Sequence, residues 1–240
     1  MRDALIRLGQ GKGVFFDIGA NIGQHSLFLS QYAQEVHAFE PLTSVGSRLS
    51  HHRRLNGIDH ITLHEIGLSD SDGLLPFFAP TGSNQGTGSF SPESVGRGNA
   101  PGAALQVRSG DSYFSENNLP PPLLIKIDVE GFEKKTLAGM AEFLAQHRPV
   151  IVLEVSYDEA LSFRSQAELK QLLPTDYELL VFDTRKADGR TARRRGARAK
   201  RTGEYRLIEV NGWRDRDQDD LVAVPVELKP MLPMEGPPRD

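Results

Sequence analysis

Residues 14–23, VFFDIGANIG, decide the fold: an apolar run ends on an acid and then turns on glycine. The spacing of apolar residues over 22–33 indicates a helix after this turn. A second apolar run, 36–39, ends on Glu40, which lies about 20 residues beyond Gly19. A strand, a glycine turn, a helix and then an acid at this distance are typical of a nucleotide-type cofactor site, in which the acid binds the ribose hydroxyls.

The charge of this turn favours a cationic cofactor. A dinucleotide turn of the G-x-G-x-x-G type that starts at Gly19 needs glycines at 21 and 24, where this chain has Asn21 and Gln24. Asp17 at the strand end would also repel a pyrophosphate. S-adenosylmethionine carries a sulfonium and an ammonium group, so the turn favours this cofactor. NAD on the same fold stays open as an alternative.

Strand and helix patterns alternate from residue 14 onward, which predicts βαβ units and a doubly wound, mostly parallel α/β sheet. The glycine- and serine-rich segment 79–103 is expected to be an irregular loop, either a plain surface loop or a lid or binding loop. We expect one domain over residues 1–228 and a frayed, proline-rich tail over 229–240. The predicted strands are 14–16, 36–39, 61–63, 74–78, 123–127, 150–155, 177–182, 205–210 and 221–226, and the predicted helices are 22–33, 43–55, 132–146 and 159–173.

The composition is that of an ordinary globular protein, with 240 residues of which 38% are apolar and 25% charged. The absence of cysteine excludes disulfides, thiolate zinc sites and iron–sulfur clusters. No apolar run approaches the roughly 20 residues needed to cross a bilayer, and the amino terminus lacks the apolar core of a secretory signal. We therefore expect a cytoplasmic protein with no membrane span.

One segment is strongly basic. Residues 185–201 hold nine Arg or Lys residues and one acid, Asp188, in a chain whose net charge is −4. The segment, an insertion over 184–203, is either a solvated loop or a surface that attracts an anionic acceptor or partner, such as a phosphorylated sugar or nucleic acid. It lacks aromatic residues, which disfavours binding of single-stranded nucleic acid.

Ligands of a doubly wound sheet bind at the carboxyl ends of its strands, so the residues that follow each strand are the candidates for function. Residues 125–133 read IKIDVEGFE. Alternation along the strand places Lys126, Asp128 and Glu130 on one side of it. A lysine within an apolar strand needs a carboxylate partner or a path to solvent. This cluster is therefore either a buried ion pair or a polar site that faces a reacting group.

Together these motifs resemble the FkbM-type methyltransferases over roughly residues 12–183. The resemblance is carried by DIGANIG at 17–23, Glu40-Pro41, GLSD at 67–70 and KIDVEGFE at 126–133. It implies a class I methyltransferase fold, which is Rossmann-like, with a seven-stranded sheet and an antiparallel strand near the C-terminus. It also implies S-adenosylmethionine as the methyl donor and often O-methylation of a sugar or another small hydroxylated compound.

The resemblance also assigns roles by position. The methyl acceptor would lie beside Asp128 and Glu130. Removal of the hydroxyl proton needs a base, for which Asp128 is the first candidate and Glu130 the second, with His25 as an outside candidate. Lys126 would stabilise a developing oxyanion or pair with a carboxylate. The implied cofactor-binding residues are Asp17, Gly19, Asn21 and Gly23 for the methionine part, Glu40 and Pro41 for the ribose, Leu68 and Ser69 beside the adenine, and Asp128.

Two alternatives stay open. Asp128, Glu130 and Glu154 offer carboxylates that Mg²⁺ accepts, but three acids at strand ends are common, so we predict no metal site. The chain could also be a catalytically weak methyltransferase-like module that binds an anionic partner through 185–201.

Overall fold

The computed structural model describes residues 1–82, 85–157, 163–183, 206–232 and 234. In this part of the chain, no helix is long and apolar enough to cross a membrane. The α-helices are α1 (Arg2–Gly9), α2 (Gln24–Leu29), α3 (Thr43–Leu55), α4 (Gly110–Glu116), α5 (Glu133–Ala138), α6 (Ala141–His147) and α7 (Gln166–Gln171). The strands are β1 (Val14–Ile18), β2 (Glu35–Phe39), β3 (Ile61–His64), β4 (Gly67–Ser69), β5 (Gly73–Pro80), β6 (Asn99–Ser109), β7 (Leu124–Ile127), β8 (Val150–Ser156), β9 (Tyr177–Phe182), β10 (Leu207–Glu209) and β11 (Gln218–Pro225).

The main sheet has the strand order β10-β9-β11-β8-β7-β1-β2-β3. The pairs among β3, β2, β1, β7 and β8 are parallel, whereas β11 runs antiparallel to both of its neighbours, β8 and β9. This confirms the predicted mostly parallel α/β sheet with an antiparallel strand near the C-terminus. The described sheet has eight strands instead of the predicted seven, because β10 pairs with β9 at the edge.

Helices cover both faces of this sheet, as a doubly wound fold requires. Helices α1, α2 and α3 pack on one face and α4 to α7 on the other. Alternation along β7 divides its residues between the two cores, since Leu124 faces the first set of helices while Ile125 and Ile127 face the second. Each fully buried aliphatic side chain of this kind contributes about 1.5 to 3 kcal/mol.

The segment 79–103 is more regular than the sequence predicted. Strand β5 continues to Pro80, and β6 begins at Asn99 and pairs with it in antiparallel fashion. With β4, they form a second, three-stranded sheet. Between β5 and β6, Gln85–Thr87 and Pro92–Arg97 form short 3-10 helices. The prediction was wrong over 99–103 because glycine and proline disfavour strands in isolation, whereas pairing with β5 satisfies the backbone here.

Other differences come from close approaches between elements. The predicted helix 132–146 is divided into α5 and α6 at Gly139, where an added Cβ would overlap the carbonyl oxygen of Ser69. Helices α1 and α4 and strand β4 were not predicted, and the predicted helix 22–33 is α2 followed by a 3-10 turn over Ser30–Tyr32. In the predicted tail, Lys229–Met231 form a 3-10 helix and Leu232 is buried. The basic segment 185–201, residues 159–162 of the helix predicted over 159–173, and residues 235–240 lie outside the described residues.

Candidate functional site

The turn after β1 is wrapped tightly around the ends of its neighbouring strands. Gly19, Asn21 and Gly23 all have positive φ angles, of 78°, 52° and 86°. Gly19 admits no side chain, because a Cβ there would overlap the carbonyl oxygen of Asp128. The turn is thereby held against the end of β7, and the motifs at 17–23 and 126–133 meet at this point.

Glu40, at the end of β2, is bound to the same turn. Its Oε2 accepts a hydrogen bond from the Asn21 amide at 3.0 Å, and its Oε1 accepts one from the Leu42 amide at 2.9 Å. Burial raises the pKa of Glu40, and these two amides act in the opposite direction. Each carboxylate oxygen can accept a second hydrogen bond, so the group keeps the capacity to bind ribose hydroxyls.

A small cavity of about 50 Å³ lies beside Glu40, between the strand ends and the second sheet. Its walls combine apolar side chains with the carboxylates of Glu40, Asp128 and Glu130. An apolar slot beside a carboxylate suits an adenine ring with its ribose, and the further acids suit a cationic end, so the residues present fit S-adenosylmethionine. The apolar walls include Ile18, Phe39, Ile66, Leu68, Phe77 and Phe132.

Residues 86–90, which we call the cover, close the outer side of this small cavity. The hydroxyl of Ser89 donates a hydrogen bond to the carbonyl oxygen of Glu130 at 2.7 Å. The ring of Phe90 packs against those of Phe77 and Phe132, with ring centroids 5.1 Å and 5.4 Å apart. The cover therefore lines the small cavity, and its role as a lid or binding loop stays a prediction.

A buried ion pair lies beneath the site. The Nζ atom of Lys126 is 3.1 Å from Asp128 Oδ2 and 3.8 Å from Asp17 Oδ1. Ser26 donates a hydrogen bond of 2.6 Å to the other oxygen of Asp17. Burial lowers the pKa of Lys126, but Asp17 and Asp128 more than offset this and raise it above its usual value. The ion pair predicted as one interpretation of Lys126 is therefore present, and it orients Asp128.

A larger cavity of about 770 Å³ lies between the sheet and helices α1 and α2. Its floor is apolar and is formed by residues such as Leu124, Val152 and Val222. Its polar part lies at the strand ends, and Asp128 is the one described residue that lines both this cavity and the small one. Polar side chains around the larger cavity include His25, Lys126, Asp128, Glu154, Gln218 and Asp220.

Three carboxylates converge where the two cavities meet. Asp128, Glu130 and Glu154 each place an oxygen within 4.8 Å of the others, and we call these residues the acid cluster. Burial raises the pKa of Glu154 to about 8, and the charges of Asp128 and Glu130 act in the same direction. Three carboxylates alone do not define a metal site, and the absence of one stays a prediction.

Glu133 is a site residue that the sequence did not single out. Its Oε1 accepts hydrogen bonds from the amides of Val129, at 3.3 Å, and Gly131, at 3.1 Å. These bonds hold the turn in which Glu130 and Gly131 have positive φ angles. Burial raises the pKa of Glu133 to about 7. An acid in the first turn of a helix was the available signal for this role.

The structure brings most predicted site residues to the two cavities. Asp17, Gly23 and Ser69 line neither of them. The side chains of Asp17 and Ser69 are buried. Gly23, at the start of α2, lies against Leu49. These three residues therefore support the site without lining it. The predicted residues that line the small cavity are Gly19, Asn21, Glu40, Pro41, Leu68, Asp128 and Glu130, and those that line the larger cavity are Lys126, Asp128 and the outside candidate His25.

The doubly wound sheet, the glycine turn and the acid at the end of β2 define a Rossmann-like methyltransferase domain. Residues 17–182 match the methyltransferase FkbM domain, which is more than half of the chain. The chain belongs to the FkbM methyltransferase family. This confirms the predicted family and a methyltransferase domain that uses S-adenosylmethionine, and it disfavours the alternative of a catalytically weak binding module.

Two similar proteins carry the comparison further. The hexuronic acid methyltransferase AglP of Haloferax volcanii is 32% identical over 148 residues, which cover 62% of this chain and 58% of that protein. The chain thus spans less than two thirds of the length of this relative. The crystal structure of a methyltransferase FkbM from Methylobacillus flagellatus KT has 19% sequence identity and a TM-score of 0.50, and the match covers 70% of this chain and 39% of that one. This likeness shows the fold.

Proposed function

We propose that the protein transfers a methyl group from S-adenosylmethionine to a hydroxyl group of a sugar-type acceptor. The observation that carries the proposal is the position of Asp128, which lines both the small cavity and the larger one. The residues that line the small cavity suit the donor once the cover has moved outward, and the larger cavity has room for the acceptor. The two reactants would then meet beside Asp128, at the carboxyl end of β7.

The residues of the small cavity would hold the donor. Glu40 would accept hydrogen bonds from the ribose, while Phe39 and Leu68 would pack on the adenine. Asp128 and Glu130 would face its positively charged end. When bound, S-adenosylmethionine supplies a methyl carbon that is already activated for attack.

The residues of the chain would then position the acceptor and receive its proton. Orientation of two reactants supplies a large part of the rate in such a transfer. Lys126 holds Asp128 in place at the junction. The acid cluster lies where a hydroxyl proton would leave.

The acceptor class is proposed from the relative, which is a hexuronic acid methyltransferase. In the described lining of the larger cavity, acidic side chains outnumber basic ones. Its Lys and Arg side chains form ion pairs, Lys126 with Asp128 and Arg2 with Asp3 at 3.0 Å. A neutral sugar hydroxyl therefore suits these residues better than a free carboxylate. The basic segment 185–201 remains our proposed source of attraction for an anionic acceptor.

Transfer of labelled methyl groups tests the proposal. The purified protein is incubated with methyl-labelled S-adenosylmethionine and with glycosides of a hexuronic acid or of the matching neutral hexose. We expect label in one of these sugars, and a loss on the order of a hundredfold in the Asp128→Asn variant, because the donor and the acceptor are no longer positioned at the junction of the two cavities.

Glu142 is an exposed residue of α6, so the Glu142→Gln variant is the matched control and should behave as the unaltered protein. Calorimetric binding of NAD without binding of S-adenosylhomocysteine would contradict the proposal. The single domain over 1–228 and the cytoplasmic location stay predictions.

A further inference from the structure

We propose that Glu154 is the residue that takes the proton from the acceptor hydroxyl, and that the positive charge of the bound donor keeps it ionised until the transfer. This inference rests on the proposed function, since it assigns one step of that reaction to one carboxylate. Glu154 lies in the carboxyl-terminal half of β8, lines the larger cavity and belongs to the acid cluster.

The position of Glu154 meets the geometric requirement for this step. Its carboxylate lies in the cavity that would hold the acceptor and within 4.8 Å of carboxylate oxygens of Asp128 and Glu130, which line the small cavity. One oxygen accepts a hydrogen bond of 2.7 Å from the Gln218 side chain, which orients the group. The other oxygen has no hydrogen-bond partner in the part of the chain that the structure describes, so it can accept a hydroxyl proton, as a general base requires.

Asp128, the first candidate from the sequence, is less suited to take the proton. It is committed to the ion pair with Lys126, and protonation would leave that buried ammonium with only the more distant Asp17. Glu130 lines the small cavity but not the larger one. Among the described residues, no Lys or Arg side chain forms an ion pair with Glu154.

The surroundings of Glu154 make it sensitive to a nearby positive charge. Asp220 lies directly opposite it in the pairing of β8 with β11, an arrangement of like charges that is unfavourable in a sheet. Burial raises the pKa of Glu154 to about 8, so the group is mostly protonated at neutral pH in the ligand-free protein. The charged groups that face it are Asp128, Glu130 and Lys126 around β7, Glu133 on α5, Asp220 on β11 and His25 on α2.

A cationic donor changes the balance between the protonated and the ionised form of Glu154. A unit positive charge a few ångströms away makes the ionised form of a carboxylate roughly a hundredfold more favourable at the effective dielectric of a protein. The acid cluster would thus release the proton of Glu154 when the sulfonium arrives. Glu154 then stands as a carboxylate beside the acceptor.

The charges and electrons of the step balance. The hydroxyl oxygen forms a bond to the methyl carbon, the carbon–sulfur bond breaks with its electron pair on sulfur, and the hydroxyl proton goes to the Glu154 carboxylate. One positive charge on sulfur and one negative charge on Glu154 disappear together. The sulfur atom of the donor product carries no charge and no longer stabilises the ionised carboxylate. Glu154 therefore keeps the proton until this product leaves.

Proton release on binding tests this inference without any acceptor. The protein is titrated at pH 7 with S-adenosylmethionine or S-adenosylhomocysteine by calorimetry, in buffers of different ionisation enthalpy. The difference between the unaltered protein and Glu154→Gln cancels the titration of the ligand itself. We expect the unaltered protein to release up to roughly one proton more than Glu154→Gln with S-adenosylmethionine, and no more with S-adenosylhomocysteine.

The Glu142→Gln control should match the unaltered protein. Equal proton release by the unaltered protein and Glu154→Gln would overturn the role of Glu154 while leaving the proposed function intact. Failure of both ligands to bind would overturn the proposed function and this inference with it. Loss of the ligand-linked release on addition of Mg²⁺ would also overturn it, because the cluster would then be a metal site.

A measurement on the unaltered protein covers the case in which Glu154→Gln does not fold. Carbon NMR of the glutamate carboxyl groups should show one that titrates above pH 7 with S-adenosylhomocysteine and is ionised at pH 7 with S-adenosylmethionine. A spectrum with no such ligand-dependent carboxyl group would refute the inference.

Discussion

At the scale of single residues, the site depends on the buried charge of Lys126, which forms ion pairs with Asp17 and Asp128. Asp17 and Lys126 are register partners on the adjacent strands β1 and β7, and Asp128 follows two residues later on the same face. The side chain of Asp17 is 1% exposed and that of Lys126 is 8% exposed. Removal of the cation would leave a buried carboxylate without compensation, which is far more costly than the loss of a surface ion pair.

The substitution Lys126→Met tests this argument. We expect the free energy of unfolding to fall by about 3 to 5 kcal/mol, because Asp17 then carries an uncompensated buried charge. Urea denaturation measures the change. Lys135→Met is the matched control, since Lys135 is 51% exposed and lies 3.6 Å from Asp70, and its loss should cost less than about 1 kcal/mol. Equal losses in the two variants would contradict the argument.

At the scale of elements, the cover over residues 86–90 forms one wall of the small cavity. The cavity beneath it, about 50 Å³, is well below the roughly 300 to 1,000 Å³ of typical ligand sites. The cover must therefore move outward when a nucleoside enters. Ser89 attaches the cover to the end of β7, because its hydroxyl donates to the Glu130 carbonyl and accepts from the Ser91 amide at 2.9 Å.

The substitution Ser89→Ala should loosen the cover. Loss of a hydrogen bond worth about 1 kcal/mol corresponds to roughly fivefold faster dissociation of S-adenosylhomocysteine. Stopped-flow dissociation measures this rate. Ser71→Ala, at an exposed turn residue whose hydroxyl donates to Asp70, should leave the rate unchanged. An unchanged rate in Ser89→Ala would show that the cover does not retain the ligand.

At the scale of the whole molecule, two buried histidines link stability to pH. His37 Nδ1 lies 3.0 Å from His64 Nε2, and His64 Nδ1 lies 3.0 Å from the Tyr113 hydroxyl. Burial lowers the pKa of both histidines, and it lowers that of His64 to about 4, with the charge of His37 as a further cause. The folded protein therefore holds His64 neutral at pH values at which the unfolded chain protonates it.

Stability should consequently fall as the pH decreases from about 6.5 to about 4, because the unfolded state binds more protons over this range. Above about pH 6.5 neither state protonates His64, so the stability that is lost at lower pH is fully present. His64 accounts for at most about 3 kcal/mol of the loss. Urea denaturation of the unaltered protein and of His64→Gln across this range measures it, with the exposed His51→Gln as control. A stability difference that is independent of pH would refute the assignment.

The turn at 17–23 and the strand before 128 could be predicted because their signals are local. Glycine at 19 is required by a close backbone approach, and alternation along 124–127 separates Lys126 from Ile125 and Ile127. These patterns repeat over a few residues, so they are visible without knowledge of the partner strands. They determined the sheet and the cofactor, and they predict the edge at which the site lies.

Only the tertiary structure decided which acidic side chains lie close together and which are buried away from the two cavities. Asp220 and Gln218 reach Glu154 because β11 inserts between β8 and β9, a pairing distant in sequence that no local pattern encodes. Asp17, expected at the ligand, is instead buried against Ser26 and Lys126. The physical reason is that burial and register depend on long-range pairing, whereas turn and strand signals depend on the backbone of a few neighbouring residues.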